Sequence, residues 1–177
     1  MPQVPVFGTW VLGLVFPSAE LPMPVGLKRY YGKCHLHFIT FSCYRRSPLL
    51  KTVRARDILV KELGKIRDEI EFHLIGYVVM PEHVHLLISE PKERRSGSAA
   101  QLRLPFDEAG EPLRAFWRTR FYYFNMYTKG NLLEKLNYVH ANPAIRGLVE
   151  HPKDWRWSSW GFYWEAENGL ISIDAEQ

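Results

Sequence analysis

Residues 34 to 43 read Cys-His-Leu-His-Phe-Ile-Thr-Phe-Ser-Cys, a run of aromatic and β-branched types without Gly or Pro, which predicts a central strand. Ser47-Pro48 interrupts the run. Beyond it Ala55, Ile58, Leu59, Leu63 and Ile66 recur at helical spacing, with Arg54, Arg56, Lys61, Glu62 and Lys65 on other faces, predicting an amphipathic helix. Phe72 to Met80 and His83 to Ser89 are two apolar runs joined at Pro81-Glu82, as in a β-hairpin with a short connection. Arg118 to Thr128 predicts a fourth, aromatic-rich strand. Asn131 with Glu134 three residues on has the form of a capping box, and the helix it opens is expected to end where Pro143 disfavours helical geometry at Asn142. On that helix Leu132, Leu133, Leu136 and Val139 form the expected core stripe. Trp155, Trp157, Trp160 and Trp164 follow and are expected to pack back on the domain.

Residues 90–115 contain Pro91, Ser96, Gly97, Ser98, Pro105, Gly110 and Pro112 and no sustained helical period, so they read as a flexible loop. The expected organisation is an N-terminal extension over 1–27, one domain over 28–165, and a tail over 166–177. Val4 to Phe16 is apolar, but it is too short to span a bilayer, is broken by Gly8 and Gly13, and has no Lys or Arg before it. Basic residues begin at Lys28 and Arg29, soon after Met23, so translation is expected to start at Met23 and residues 1–22 to be an upstream extension.

At 177 residues with 46% hydrophobic and 14% aromatic content, the chain is sized for one packed domain. A net charge of +4 fits a nucleic-acid partner without requiring one. Cys34 and Cys43 bracket one extended strand, too far apart for a disulfide, which points to a reduced, cytoplasmic chain.

His83 and His85 flank Val84 on a predicted strand, so both imidazoles leave the same face. Such a pair suits Mn²⁺, Zn²⁺ or, with oxygen ligands added, Mg²⁺, and leaves positions open for a phosphate oxygen. His35 and His37 show the same pattern, so spacing does not choose between the pairs. On the second helix Asn131, Lys135, Tyr138 and Asn142 cluster opposite the leucine stripe. Tyr138 is therefore either a nucleophile or an amphipathic tyrosine on a solvated or partner-binding face. Asn142, one turn on, has an amide oxygen suited to the same cation. Lys135, one turn before, is a cation that would favour the phenolate.

The ordered motifs Tyr77-Val-Val-Met-Pro-Glu-His-Val-His-Leu-Leu-Ile, Tyr138-Val-His-Ala-Asn-Pro, Gly147-Leu-Val and Trp157-Ser-Ser resemble those of the single-tyrosine HUH transposases, REP-associated branch, from about Arg29 to Tyr163. The resemblance implies an α+β, ferredoxin-like antiparallel sheet with packed helices and a C-terminal helix bearing the nucleophile, Tyr138. It selects His83 and His85 as metal ligands and leaves His35 and His37 structural. It further implies transesterification on single-stranded or hairpin DNA, with palindromic repeat elements as targets, using Mg²⁺ or Mn²⁺ held by His83, His85 and Asn142. A 5′-phosphotyrosine intermediate conserves the bond energy, so no nucleotide cofactor is needed. Lys135 is the supporting residue, and Arg118, Arg120 and Arg146 are the candidates for DNA contact.

Two departures stand beside it: residues 90–115 show no counterpart of the family's second amphipathic helix, and Tyr123 replaces an expected acidic residue. Alternatives are a catalytically decayed DNA-binding relative and an RNA-binding module with Arg120, Phe121, Tyr122 and Phe124 as a stacking platform. No membrane partner is expected, and monomer and homodimer both remain open.

Overall fold

The computed structural model describes residues 36–89, 116–118, 121–167 and 169–174. Four strands, β1 (Leu36–Ser42), β2 (His73–Val79), β3 (His83–Ser89) and β4 (Tyr122–Met126), alternate with helices α1 (Val53–Ile70) after β1 and α2 (Lys129–Ile145) after β4. A short helix α3 (Trp160–Trp164) follows. The strands form one sheet in the order β2-β3-β1-β4, every pair antiparallel. This is the α+β, ferredoxin-like arrangement expected. The expected loop over 90–115, the missing helix, the extension over 1–27, Cys34, His35 and Arg120 all lie outside the described residues.

Register assigns the two faces. Thr40 of β1 pairs with His85 and Ser42 with His83, while Val78 of β2 also pairs with His85, so these side chains share one face. Helix α2 rests there: Leu136 approaches Gly76 so closely that a Cβ on Gly76 would stand 2.7 Å from Leu136 Cδ1. Tyr77, Val79, Val84 and Leu86 face the other way and are buried. On that side Gly64 of α1 meets Ile171, and Gly169 meets the Tyr77 hydroxyl.

The outer edge of β2 is covered by the chain's own C-terminal segment. Val79 N–H donates to Trp157 O, Ser159 N–H to Tyr77 O, and Asp174 N–H to Leu74 O. Pairing these groups removes an exposed template for strand addition. Residues 170–174, within the span read as a tail, therefore contribute to the sheet edge, and Asp174 also forms an ion pair with Arg67 at 2.6 Å.

Several local expectations are corrected. Arg56 is buried, whereas Ile58 is 49% exposed, so the inward stripe of α1 is rotated toward Arg56 and Val60. The guanidinium tolerates burial because Nη1 donates to the carbonyls of Leu50 and Lys51 while its planar faces lie over Trp155 and Trp157. Helix α2 is capped by Thr128, whose Oγ1 accepts from Asn131 N–H, not by Asn131. It runs through Pro143 to Ile145, because burial of Pro143 against the domain outweighs the lost backbone bond. Leu133 is 56% exposed and leaves the core stripe to Leu136 and Val139. Strand β4 is shorter than Arg118–Thr128. Trp155 and Trp157 pack in the core, but Trp164 stays 43% exposed, stacked on Trp160.

Candidate active site

Strand alternation and the seating of α2 bring four expected residues together. His83 Nε2 lies 3.0 Å from His85 Nε2, and Asn142 Nδ2 lies 3.3 Å from His85 Nε2. Tyr138, half-buried one turn earlier on α2, sets its ring edge-on to His85 with centroids 5.4 Å apart, and to Phe38 at 6.3 Å. Phe38 in turn stacks on His85.

Hydrogen bonds on the far side of each imidazole define what its Nε2 presents. His83 Nδ1 is 3.2 Å from Glu82 Oε1, a carboxylate that only accepts, so Nδ1 carries a proton and Nε2 is the ring nitrogen turned toward His85. His85 Nδ1 is 2.7 Å from Thr40 Oγ1, a hydrogen bond that holds the orientation of the ring. The two Nε2 atoms thus face each other across 3.0 Å. Burial, followed by the nearby His83 and Arg146, pushes the His85 pKa well below the usual value, keeping it the neutral form a metal requires.

Asn142 is 5% exposed and its Oδ1 is buried with no hydrogen-bond partner. Two facing ring nitrogens and an adjoining amide with an orphaned oxygen offer the nitrogen and oxygen donor types that a divalent cation takes, so the residues present fit one. Among the described residues no three His, Cys, Asp or Glu side chains are grouped to hold a metal.

Glu82 and Arg146 extend the arrangement. Arg146 Nη2 donates to Glu82 Oε1 at 2.6 Å, and the hydrogen bond from His83, with help from Arg146, holds the Glu82 carboxyl below its ordinary pKa. Arg146, read as a DNA contact, is thus engaged with the turn bearing His83. Arg118 is exposed where its N–H donates to Ser42 O. Lys135 pairs with Glu134 at 2.9 Å and lies over Phe124. Sequence reasoning missed Thr40 and Glu82. Glu82 was visible as the neighbour of His83, whereas Thr40 meets His85 only through the β1–β3 register.

His37 faces away from this site, paired with Ile88 in register. It is buried, with Tyr123 Oη 2.6 Å and Asn125 Oδ1 2.9 Å from its Nδ1. Tyr123 is thereby a buried strand residue stacked on His37. Tyr122 and Phe124 lie on the α2 side, Tyr122 against Phe38 and Phe124 beneath Lys135, whereas Tyr123 between them faces the other way. Of the residues read as a stacking platform, Tyr122 and Phe124 thus share a face, and Arg120 lies outside the described residues. No described helix is long and apolar enough to cross a membrane.

Residues 30–142 match the family model described as Transposase IS200 like. The chain is 28% identical over 150 residues to the REP-associated tyrosine transposase of Escherichia coli K12, spanning 83% of this chain and 88% of that protein. Its fold is similar to the solved structure of a REP-associated tyrosine transposase bound to a REP hairpin. The TM-score is 0.60 at 22% identity, covering 85% of this chain and 93% of the other.

Proposed function

The chain belongs to the IS200-like transposase family, and from that premise we propose that it cuts and rejoins single-stranded or hairpin DNA with Tyr138 as nucleophile. The observation that carries the reading is the meeting of His83 Nε2, His85 Nε2 and the Asn142 amide, whose oxygen is buried without a partner, beside the Tyr138 ring. The likeness to a protein solved with a REP hairpin supports hairpin DNA as the substrate class.

In this mechanism His83, His85 and Asn142 would hold Mg²⁺ or Mn²⁺, which when bound would supply Lewis-acid polarisation of the scissile phosphate. Glu82 and Thr40 hold the two imidazoles with Nε2 inward, so the ligands need little rearrangement. Helix α2, seated on Gly76, holds Tyr138 on the same face of the sheet. The Tyr138 oxygen attacks phosphorus and loses its proton to solvent. The P–O3′ bond breaks, the departing oxygen gains a proton, and Tyr138 remains joined to the 5′ phosphate. Attack by a 3′ hydroxyl on that ester reverses the step and restores free tyrosine. Lys135 is a supporting cation for bound DNA in this reading.

The direct test is a denaturation-resistant protein–DNA adduct on labelled hairpin DNA with Mg²⁺ or Mn²⁺. An adduct that persists in Tyr138→Phe overturns the nucleophile assignment.

A further inference from the structure

Beside the proposed site lies a basic, aromatic rim that the mechanism leaves unused. Ser42, the last residue of β1, pairs with His83, and the next residue, Cys43, donates its N–H to Glu82 O at 2.8 Å. The chain then makes a 3₁₀ turn over Tyr44–Arg46 and returns to the hairpin turn, where Leu50 N–H donates to Pro81 O. Tyr44 to Leu50 therefore straddles the turn that presents His83. Tyr44 follows Ser42 by two residues, within roughly 7 Å of chain.

Tyr44, Arg45 and Arg46 are all exposed, and the Arg45 guanidinium stands 5.2 Å from the centroid of the Tyr44 ring. Arg118 joins the same end of the sheet through its bond to Ser42, and Arg146 through its bond to Glu82. Both arginines of the turn are left-handed, with φ of 53° at Arg45 and 54° at Arg46. Non-glycine residues adopt that region at a cost, and two in succession are retained only where the surroundings enforce them. Backbone bonds from Arg46 N–H to Cys43 O at 2.9 Å and from Ser47 N–H to Tyr44 O at 3.0 Å close the turn, and neither arginine is buried. Cations grouped with an exposed aromatic ring are the elements that bind single strands, the cations to phosphates and the ring to a base face.

We propose that Tyr44, Arg45, Arg46 and Arg118 form the seat for the single-stranded DNA segment that flanks the cleaved phosphate, Tyr44 stacking on a base and the arginines pairing with phosphates. The proposal rests on the DNA-cutting reading above and adds where the unpaired strand lies.

The test uses the full chain and two fluorescent probes, one hairpin with single-stranded flanks and the same hairpin trimmed blunt, with anisotropy followed across salt concentration. Tyr44→Ala should weaken flanked-probe binding by roughly tenfold, the scale of one lost base stack, while Tyr44→Phe retains affinity. Arg45→Gly should flatten the slope of log affinity against log salt by about 0.7 on the flanked probe. Glycine accepts the left-handed backbone freely, so this variant should be at least as thermally stable as wild type, which separates lost contact from lost fold. Blunt-probe affinity should change less than twofold in each variant. Unchanged flanked binding, or equal losses on both probes, overturns the proposal. Failure of the wild-type protein to bind either probe refutes the DNA-cutting reading itself, and the rim proposal with it.

Discussion

Arg146 and Glu82, 64 residues apart, meet at 2.6 Å and join the end of the tyrosine helix to the turn that carries His83. The carboxylate is shared, since His83 Nδ1 also lies 3.2 Å from the same oxygen. Glu82 thus orients the His83 imidazole while fastening the helix that bears Asn142 and Tyr138. Glu82→Ala should weaken Mn²⁺ binding about 10–100-fold, the usual scale for losing such a partner. Glu82→Gln, which keeps an accepting oxygen, should weaken it less. Electron paramagnetic resonance of free Mn²⁺ against protein concentration measures this without DNA. Equal affinities in wild type and Glu82→Ala would remove Glu82 from the site.

The roles of nucleophile and ligand separate by substitution. Tyr138→Phe should bind hairpin DNA and Mn²⁺ like wild type yet form no adduct, because only the attacking oxygen is gone. His83→Ala and His85→Ala should keep DNA binding and lose metal-dependent cleavage. Denaturing gel electrophoresis reads the adduct and filter binding reads the complex. Undiminished cleavage in both histidine variants would mean that the metal site is misplaced.

Helix α2 depends on Gly76 for its close approach to β2. A methyl there would stand 2.7 Å from Leu136 Cδ1 and 3.2 Å from Leu87 Cδ1, so Gly76→Ala should destabilise the fold by about 1–3 kcal/mol. The expected loss in melting temperature is several degrees. In a Leu136→Ala background the same substitution should cost less, because the clashing methyl group is absent. Additive losses in a double-mutant cycle by calorimetry would show that the contact does not set the helix position.

Acid should destabilise the protein from a pH well above the ordinary carboxylate range. Burial depresses His140 from 6.5 to about 3, with Nε2 2.8 Å from Ser159 Oγ and Nδ1 enclosed without a partner. The unfolded chain protonates this histidine below about pH 6.5, while the folded chain resists until about pH 3. Its contribution is therefore full above pH 6.5 and falls progressively as pH drops toward 3. Buried His85 acts in the same direction. His140→Gln should reduce the slope of unfolding free energy against pH in this window by up to about 1.4 kcal/mol per pH unit. Urea titrations at several pH values test it, and parallel slopes for variant and wild type would contradict the assignment.

Elements with a strong local period were legible from sequence. The two apolar runs either side of Pro81-Glu82 marked a hairpin whose strands are observed at His73–Val79 and His83–Ser89. The period of two also placed both imidazoles of His83 and His85 on one face, and the helical repeat put Asn142 one turn beyond Tyr138. Elsewhere the local signal misled. Arg56 reads as a surface residue until two carbonyls and two indole rings enclose it, and Leu133 reads as core until the tilt of α2 leaves it outside.

The sequence by itself thus determined which side chains leave a strand or helix together, because that follows from backbone geometry within one element. Only the tertiary structure decided that the His83–His85 face and the Tyr138–Asn142 face meet. That depends on Leu136 seating against Gly76 and on Arg146 reaching Glu82, contacts between residues 60 and 64 positions apart. It also set His37 on the opposite side of the sheet from His85, through a β1–β3 register in which Thr40, not His37, stands beside His85. Such pairings are settled by burying apolar surface and satisfying enclosed polar groups across several elements at once, and no local period encodes that.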